Sequence, residues 1–437
     1  MKLRSLLLAA AGIAVGVTGV MESKKAYSAE LFFPVFVYRT GAYAPSGQPI
    51  ANGFRDYYAL LNKRDKGIEG HKIVTEECET KYNTKIGVEC YEKLKGKHGG
   101  AVIVSPYSTG LTYQLIPKAP VDNVPILSMG YGRTAAADGR VFPWVFNFPS
   151  TYWSQASAFV QYVGNQIGGL DKLSGQHIAH LHHNSAYGKE ANPTLKALSK
   201  KFGFKLTVLA VDHPGQEQKA AWLQIRRKRP DWVFMSGWGV MNQVAIKEGN
   251  SIGYPMDKFV GNWWSGSDAD VIPAGDGAIG YKSTAMHAAG TKFPLFKDII
   301  KHVYGGDAAK AKANNVGEVL YNRAILNAVF ATEAVRKAAK AKGGTPTGAD
   351  VRKALETFSI DKARLKALGL AGFANPVSVS CKNHEGTSPG VFIQQWTGTA
   401  WKVQGGFVPA MSDVVRPLVE KAAAAYAKEN KIKPASC

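Results

Sequence analysis

The sequence is poor in cysteine and lacks two motifs that mark common classes of enzyme and metal protein. Four cysteines occur in 437 residues, and no two of them form a Cys-x-x-Cys pair, which argues against a zinc ribbon and a thioredoxin-like redox site. No phosphate-binding Walker loop is present. Beyond the N-terminus, no stretch is long and apolar enough to cross a membrane. We therefore expect a protein that is not an enzyme and that needs no cofactor.

What the sequence does contain is the composition of a large globular protein. Hydrophobic residues make up 45% and charged residues 20% of the chain, values typical of folded rather than disordered proteins. A length of 437 residues exceeds one ordinary domain. Two hydrophobic cores of usual size are therefore expected.

The first 28 residues have the pattern of a secretory signal peptide. Lys2 and Arg4 give a basic start, residues 5–21 form an apolar run, and the small residues Ala26 and Ser28 follow. This spacing of small residues favours cleavage after Ser28. A membrane anchor is the alternative, but the run is short and contains several glycines, and no cysteine follows it for lipid attachment. We expect an exported, periplasmic protein.

All four cysteines lie in the part of the chain predicted to be exported. In an oxidising compartment an even number of cysteines predicts disulfides, and four of them allow three connectivities. Sequence proximity favours a Cys78–Cys90 bridge, which leaves Cys381–Cys437 to hold the C-terminal region.

The chain is strongly basic, with a formal net charge of +21. Such a balance can indicate nucleic acid, an anionic membrane or an acidic solute as the partner. The lysines are scattered, however, and the one dense basic run, residues 226–229, precedes Pro230 and an apolar stretch. This run is typical of a solvated helix end. We therefore expect no nucleic-acid binding and attribute the charge to solubility and to the capture of anions.

Short β-rich runs alternate with amphipathic stretches along the chain. In the first half, strands are predicted at 31–38, 72–75, 101–104 and 124–128, with helices at 50–62 and 84–95. After a connector at 147–152, strands are predicted at 178–181, 205–211, 232–236 and 258–260, with helices at 159–167, 194–202 and 218–227. This alternation predicts parallel βαβ units. The expected fold class is α/β, with two doubly wound parallel-sheet lobes.

Aromatic and hydroxyl-bearing residues are concentrated in the turns that follow the predicted strands. In open parallel sheets, ligands bind in the crevice beyond the carboxyl ends of the strands. Hydroxyls, loop amides and aromatic faces can hold a small solute there through hydrogen bonds and stacking. The alternative for any single residue is that it only covers the edge of a core. The predicted ligand-binding residues are Tyr43, Tyr107, Ser108, Thr109, Met129, Gly130, Tyr131, Tyr187, Trp238, Asn262, Trp263 and Trp264.

Histidines at positions 177, 180, 182 and 183 form one other suggestive group. On a strand, His180 and His182 share a face, as two zinc ligands can. No nearby aspartate or glutamate completes such a site. We therefore predict strand residues with satisfied ring nitrogens and no bound metal.

Several short motifs follow one another in a fixed order along the chain. They are Thr40-Gly41 with Gly47, the Ser108-Thr109 loop, Val124-Pro125-Ile126-Leu127-Ser128, Ser185-Ala186-Tyr187-Gly188 and Tyr254-Pro255. In this layout the sequence resembles the periplasmic leucine/isoleucine/valine-type binding proteins of ABC importers, over about residues 32–401. The resemblance implies a type I periplasmic-binding fold with three crossovers between two lobes.

The implied crossovers divide the exported chain into two discontinuous lobes. Lobe one would comprise residues 29–148 and 284–368, and lobe two residues 149–283 and 369–437. The resemblance also implies a small-molecule solute, a permease and ATPase complex at the inner membrane as the partner, and a monomeric state. A ligand-sensing periplasmic module for a receptor or regulator shares the fold and is the alternative.

The resemblance assigns roles to individual loop positions. The Ser108-Thr109 loop and the turn Gly130-Tyr131 match positions that hold the carboxylate of the ligand. Tyr187 matches a tyrosine that covers the ligand from lobe two.

The residue at position 263, a tryptophan, gives evidence about the charge of the ligand. At or near this position the amino-acid binders carry an acidic residue that pairs with the ligand's ammonium group. In this sequence no Asp or Glu occurs from Gly261 up to Asp268. Burying an unpaired ammonium costs roughly several kcal/mol. We therefore expect an anionic or neutral solute, such as a carboxylate or an aromatic acid.

Overall fold

A computed structural model describes residues 29–437 of the chain. The predicted signal peptide, residues 1–28, lies outside the described residues. The strands are β1 Glu30–Val37, β2 Lys72–Glu79, β3 Ile126–Leu127, β4 Val145–Phe146, β5 His177–His183, β6 Lys205–Val211, β7 Trp232–Ser236, β8 Phe259–Gly261, β9 Lys282–Ala285, β10 Ser359–Ile360, β11 Val377–Ser378, β12 Gly390–Trp396 and β13 Trp401–Pro409.

Helices alternate with these strands over most of the described chain. They are α1 Ala44–Asp65, α2 Thr84–Leu94, α3 Thr109–Leu115, α4 Ala119–Asp122, α5 Tyr152–Ile167, α6 Ala186–Lys189, α7 Asn192–Phe202, α8 Lys219–Lys228, α9 Val240–Ser251, α10 Asp268–Val271, α11 Pro294–Val303, α12 Ala308–Ala313, α13 Val319–Lys342, α14 Gly348–Glu356, α15 Lys362–Ala367 and α16 Ser412–Glu429. Short 3₁₀ segments lie at Lys97–Gly99, Thr134–Ala137, Leu170–Gly175, Met256–Lys258 and Ile272–Ala278.

The first half of the chain builds a parallel sheet from short strands. β1 pairs with β2, and β3 pairs with β4, both in parallel. The predicted strand at 101–104 forms only the two parallel bridges Phe32↔Ala101 and Val104↔Ile126, and these bridges join the two strand pairs. The segment is still buried.

The second sheet has seven strands in the order β13-β12-β9-β8-β7-β5-β6. From β6 to β9 every neighbouring pair is parallel, and β12 and β13 continue the sheet in antiparallel pairing. The chain passes between the two sheets three times, after β4, after β9 and before β12. We call the part around the first sheet lobe one and the part around the seven-stranded sheet lobe two.

Helix α13 belongs to lobe one, because it packs lengthwise against α1 in the same hydrophobic core. This arrangement is the α/β architecture expected from the sequence, with doubly wound parallel sheets in two lobes. The residue boundaries 148/149, 283/284 and 368/369 stay predictions.

Two disulfides are present, Cys78–Cys90 and Cys381–Cys437. The first joins the end region of β2 to α2. The second attaches the C-terminal region to the segment between β11 and β12. Of the three connectivities that four cysteines allow, the structure contains the one favoured by sequence proximity.

Candidate functional site

The loops that follow the parallel strands of both sheets meet between the lobes. In parallel sheets all strands end on the same edge, so loops distant in sequence become neighbours. In lobe one these loops follow β1, the segment 101–104 and β3. In lobe two they follow β5, β7 and β8. The loops that carry the predicted ligand-binding residues therefore lie along the boundary between the two lobes, which we call the crevice.

Five aromatic side chains from four of these loops contact one another. Tyr107 and Tyr131 of lobe one lie 5.9 and 4.4 Å from Trp264 of lobe two, measured between ring centroids. Trp238 and Trp263 approach the same indole to 5.3 and 4.8 Å. All five side chains are buried. We call Tyr107, Tyr131, Trp238, Trp263 and Trp264 the aromatic cluster.

The three indole N–H groups of the aromatic cluster have no hydrogen-bond partner among residues 29–437. Each Nε1 of Trp238, Trp263 and Trp264 is buried and unpaired. Buried polar groups in proteins are normally paired, and an indole N–H can only donate. The cluster therefore offers donors that suit the oxygen atoms of a bound solute.

Arg323 of α13 places its guanidinium against two of these tryptophans. Its Cζ lies 4.2 Å from the ring centroid of Trp263 and 4.6 Å from that of Trp264. The side chain is fully buried, and Nε, Nη1 and Nη2 find no hydrogen-bond partner in the described part of the chain. Burial lowers the pKa of Arg323 to about 10, so the guanidinium remains charged at neutral pH.

Asp270 is the acidic residue whose charge acts on Arg323. Its two carboxyl oxygens accept hydrogen bonds from Asn242 Nδ2, at 3.0 Å, and from the Ser267 amide, at 2.8 Å. Burial raises the pKa of Asp270 to about 7, so its negative charge is incompletely formed at neutral pH. Asp270 therefore gives Arg323 a partial counter-charge and no direct hydrogen bond.

The hydroxyl groups of the Ser108-Thr109 loop in lobe one lie within hydrogen-bond distance of other groups of the protein. Ser108 is the N-cap of α3, where its Oγ accepts a hydrogen bond from the Leu111 amide at 3.3 Å. Thr109 Oγ1 lies 3.3 Å from the hydroxyl of Tyr152 in lobe two. Met129 is buried beside Gly130, whose φ is +73°. These predicted site residues border the crevice and connect it to both lobes.

Tyr187 and Asn262 are hydrogen-bonded within lobe two. The Tyr187 hydroxyl lies 2.9 Å from the Gly237 carbonyl oxygen and 2.8 Å from Asn262 Oδ1. Asn262 Oδ1 also accepts a hydrogen bond from the Trp264 amide at 3.0 Å. The two residues thus hold the loop that carries Trp263 and Trp264 in place.

Tyr43 connects the lobes at the mouth of the crevice. Its hydroxyl lies 3.1 Å from His183 Nε2 and 2.8 Å from His213 Nδ1. Tyr43 precedes α1 in lobe one, whereas His183 ends β5 and His213 follows β6 in lobe two. Burial next to His213 lowers the pKa of His183 to about 3. His183 is therefore neutral at pH 7 and able to share a hydrogen bond.

Further contacts join the lobes away from the aromatic cluster. Glu190 of lobe two accepts hydrogen bonds from the Tyr113 hydroxyl, from the Thr134 amide at 3.2 Å and from Thr134 Oγ1 at 2.6 Å. Asp268 Oδ2 accepts one from the Val319 amide at 2.9 Å. Because Thr134 and Val319 belong to lobe one, the structure describes the lobes in a closed arrangement.

Two members of the histidine group of β5, His177 and His180, are engaged in hydrogen bonds within lobe two. His180 Nδ1 lies 2.8 Å from Asn192 Oδ1, and its Nε2 lies 2.9 Å from Ser236 Oγ. His177 Nε2 lies 2.9 Å from Thr207 Oγ1. Within residues 29–437 no group of three or more His, Cys, Asp or Glu side chains is placed to hold a metal ion.

Two short glycine patterns in the chain match enzyme motifs but not their structural setting. Gly275-Asp276-Gly277-Ala278-Ile279-Gly280 fits the dinucleotide pattern, yet it begins in a 3₁₀ segment and leads into β9. Gly386-Thr387-Ser388-Pro389-Gly390 fits the nucleophile-elbow pattern, yet it leads into β12 instead of a helix. Both motifs require a strand–turn–helix context. Neither pattern therefore supports an enzymatic reading.

Arg323 is the site residue that sequence reasoning missed. It lies in α13 between Tyr321 and Ile325, and both of these neighbours are buried. A lone arginine on an apolar helix is the signal that could have identified it, because arginine is almost never fully buried without a partner.

The comparison with known families decides the class of protein. A family model described as periplasmic binding protein matches residues 30–400. The chain belongs to the periplasmic binding protein family. Membership of this family indicates a substrate-binding protein, a small-molecule ligand, a permease partner and a periplasmic location.

Solved structures agree with this family. A protein from the Pseudomonas fluorescens group, described as an ABC transporter permease, is 40% identical, with a TM-score of 0.86 and coverage of 93% of this chain and 99% of that one. No match was found among curated proteins. Within residues 29–437 of this binding protein, no helix has the length and apolarity needed to span a membrane.

More distant structures share the fold of this binding protein and bind different ligands. A branched-chain amino acid ABC transporter protein from Thermus thermophilus with bound valine is 19% identical, with a TM-score of 0.73 and coverage of 89% and 98%. A solute-binding protein from R. palustris in complex with benzoate is 16% identical, with a TM-score of 0.68 and coverage of 87% and 97%. At these identities the likeness concerns the fold alone.

Proposed function

We propose that this chain is the substrate-binding component of an ABC import system and that its two lobes close over a small anionic or neutral solute. The solute would be carboxylate-like or aromatic-acid-like and would be delivered to a permease and ATPase complex by a monomeric binding protein. The observation that carries the proposal is the aromatic cluster, which two lobes assemble from the carboxyl ends of their strands.

The chemistry of the cluster supports a solute without positive charge. Its three indole N–H groups find no hydrogen-bond partner in the described part of the chain, and they suit carbonyl or carboxylate oxygens. An ammonium group would face the Arg323 guanidinium in a low-dielectric surrounding, where like charges repel strongly. Aromatic faces add apolar area and stacking for the remainder of the solute.

Closure supplies the binding step. Lobes joined by several crossovers can hinge, and a solute that contacts both lobes favours the closed arrangement. The contacts of Tyr43 and Glu190 then shut the crevice from solvent. The solute is thereby enclosed and carried to the membrane.

A thermal-shift screen of residues 29–437 tests this function. The solutes are amino acids, aromatic acids, short carboxylates, amides and urea-like compounds. A solute at 100 times its dissociation constant should stabilise the protein by about 2.7 kcal/mol, and small-angle scattering should show compaction when it is added.

The result we expect is stabilisation by an acid or a neutral compound. Tight binding of leucine or valine would contradict the proposed ligand charge. A confirmed ligand that leaves the radius of gyration unchanged would contradict closure.

A further inference from the structure

Arg323 is a full positive charge buried between the lobes without a direct partner. Its three guanidinium nitrogens make no hydrogen bond to residues 29–437. The side chain reaches from α13 of lobe one to the two indole rings of lobe two. A buried charge of this kind is strongly unfavourable unless it is paired and hydrogen-bonded.

The surroundings of Arg323 compensate its charge only in part. The two indole faces attract the guanidinium through cation–π contacts. Asp270 is incompletely ionised at neutral pH, and both of its oxygens already accept hydrogen bonds from other groups. His287 lies 6.1 Å from Trp263, between ring centroids, and burial lowers its pKa to about 3, so this imidazole adds no positive charge at neutral pH.

The site therefore presents one guanidinium together with neutral donors. The planar fork of an arginine matches the two oxygens of a carboxylate. A singly charged carboxylate would neutralise it, whereas a phosphate dianion would leave a second charge buried among apolar rings. This balance selects a monocarboxylate.

We infer that Arg323 is the carboxylate anchor of the crevice and that its unpaired charge keeps the lobes apart until a monocarboxylate neutralises it. The inference rests on the proposed function, because it assumes that the crevice is the solute site. In the open protein water would solvate the guanidinium. Closing without an anion would remove that water and give nothing in exchange, whereas closing on a carboxylate would replace it with two charge-assisted hydrogen bonds.

Scattering on solute-free protein tests the gating directly. We expect Arg323→Met to have a smaller radius of gyration than wild type in the absence of solute, because the charge that opposes closure is gone. Arg323→Lys keeps the charge and should match wild type. Lys340→Met removes an exposed charge from the same helix and is the matched control. Arg323→Gln serves as the neutral variant if circular dichroism shows that Arg323→Met does not fold.

Isosteric pairs test the anchor. The probes are benzoate with benzamide, and 3-methylbutanoate with 3-methylbutanamide. An acid that binds wild type should bind Arg323→Met about 10- to 100-fold more weakly, while its amide should be affected little.

Equal radii of gyration for solute-free wild type and Arg323→Met would overturn the inference, and so would an amide that binds wild type as tightly as its acid. The proposed function is judged separately. A neutral solute that compacts wild type and Arg323→Met alike would leave solute capture standing and remove the anchor.

Discussion

Gly130 lies directly against the indole of Trp263 across the boundary between the lobes. A Cβ atom at residue 130 would come within 2.9 Å of Cζ2 of Trp263, which is closer than side-chain carbons pack. The turn also holds this residue at a φ of +73°, a conformation that glycine adopts at little cost. The missing side chain is thus what allows lobe one to approach Trp263 so closely.

Gly130→Ala should weaken solute binding. The added methyl must displace Trp263 or hold the lobes apart, and overpacking of this kind costs about 1–3 kcal/mol. Calorimetry with the solute found by the thermal-shift screen measures the change. Gly99→Ala is the matched control, because Gly99 has a φ of +85° and no atom within 4 Å of the added Cβ. Equal affinities for Gly130→Ala and wild type would show that closure does not need this contact.

Trp263→Ala should weaken binding by roughly 1–3 kcal/mol, because a large apolar contact is lost. Trp263→Glu should harm the binding of a carboxylate more, since it adds a like charge to the crevice. Trp144→Ala, at a half-buried indole in the other core of lobe one, is the control for the loss of a tryptophan. Unchanged affinity in Trp263→Ala would remove this residue from the site.

The dependence of stability on pH should change in His180→Gln. Burial lowers the pKa of His180 to about 3, whereas an unfolded histidine has a pKa of about 6.5. Between these values the unfolded chain binds a proton that the folded chain does not, so this histidine reduces stability as the pH falls, by up to about 1.4 kcal/mol per pH unit.

The stability advantage of wild type over His180→Gln should therefore shrink from pH 7 to pH 4. Urea denaturation at several pH values gives the free energy of unfolding of both proteins. A difference that stays constant over this range would show that His180 is not the buried neutral group described above.

Removing the disulfides should destabilise the protein unequally. The sequence separation is 12 residues for Cys78–Cys90 and 56 for Cys381–Cys437. If loop closure in the unfolded chain dominates, the double alanine variants should lose about 3 and about 4 kcal/mol respectively. Chemical denaturation gives the free energy of unfolding of both variants. A larger loss for the Cys78/Cys90 variant would contradict the expected order. Non-reducing peptide mapping that recovers four free thiols would refute both bridges.

Export should remove residues 1–28. N-terminal sequencing of protein recovered from the periplasm should begin at Ala29 or Glu30, and the small residues Ala26 and Ser28 favour Ala29. Periplasmic protein that retains Met1 would contradict the predicted processing.

The sequence predicts the α/β alternation well where turn-forming residues mark the ends of a strand. β6 and β7 have the predicted bounds 205–211 and 232–236, because each is a β-rich run that begins after turn residues. The segment 101–104 is also a β-rich run but forms only isolated bridges. Regular pairing depends on the length and path of neighbouring strands, which the local composition does not encode.

The aromatic members of the candidate site could be named from the sequence because they follow strand ends. For Arg323 the sequence offers only the signal of an arginine on an apolar helix, because its position depends on the packing of α13 across the crevice from Trp263 and Trp264. The hydrogen bonds that occupy Tyr187 and Asn262 depend in the same way on tertiary contacts. Residue type and order indicate where a crevice lies, whereas burial decides which group in it is left without a partner.

A binding protein must balance two properties, its selectivity among solutes and the residence time of the bound solute. The hydrogen bonds from Thr134 to Glu190 affect these two properties differently. They strengthen the closed arrangement at a place that lies outside the aromatic cluster, so their energy is added equally for every solute that permits closure. Under the proposed function, selectivity then belongs to the cluster and Arg323. Residence time, and with it the ease with which a permease can obtain the solute, is shared with Thr134 and Glu190. Substitutions at this pair can therefore retune uptake for a scarce or an abundant solute without changing which solute is chosen.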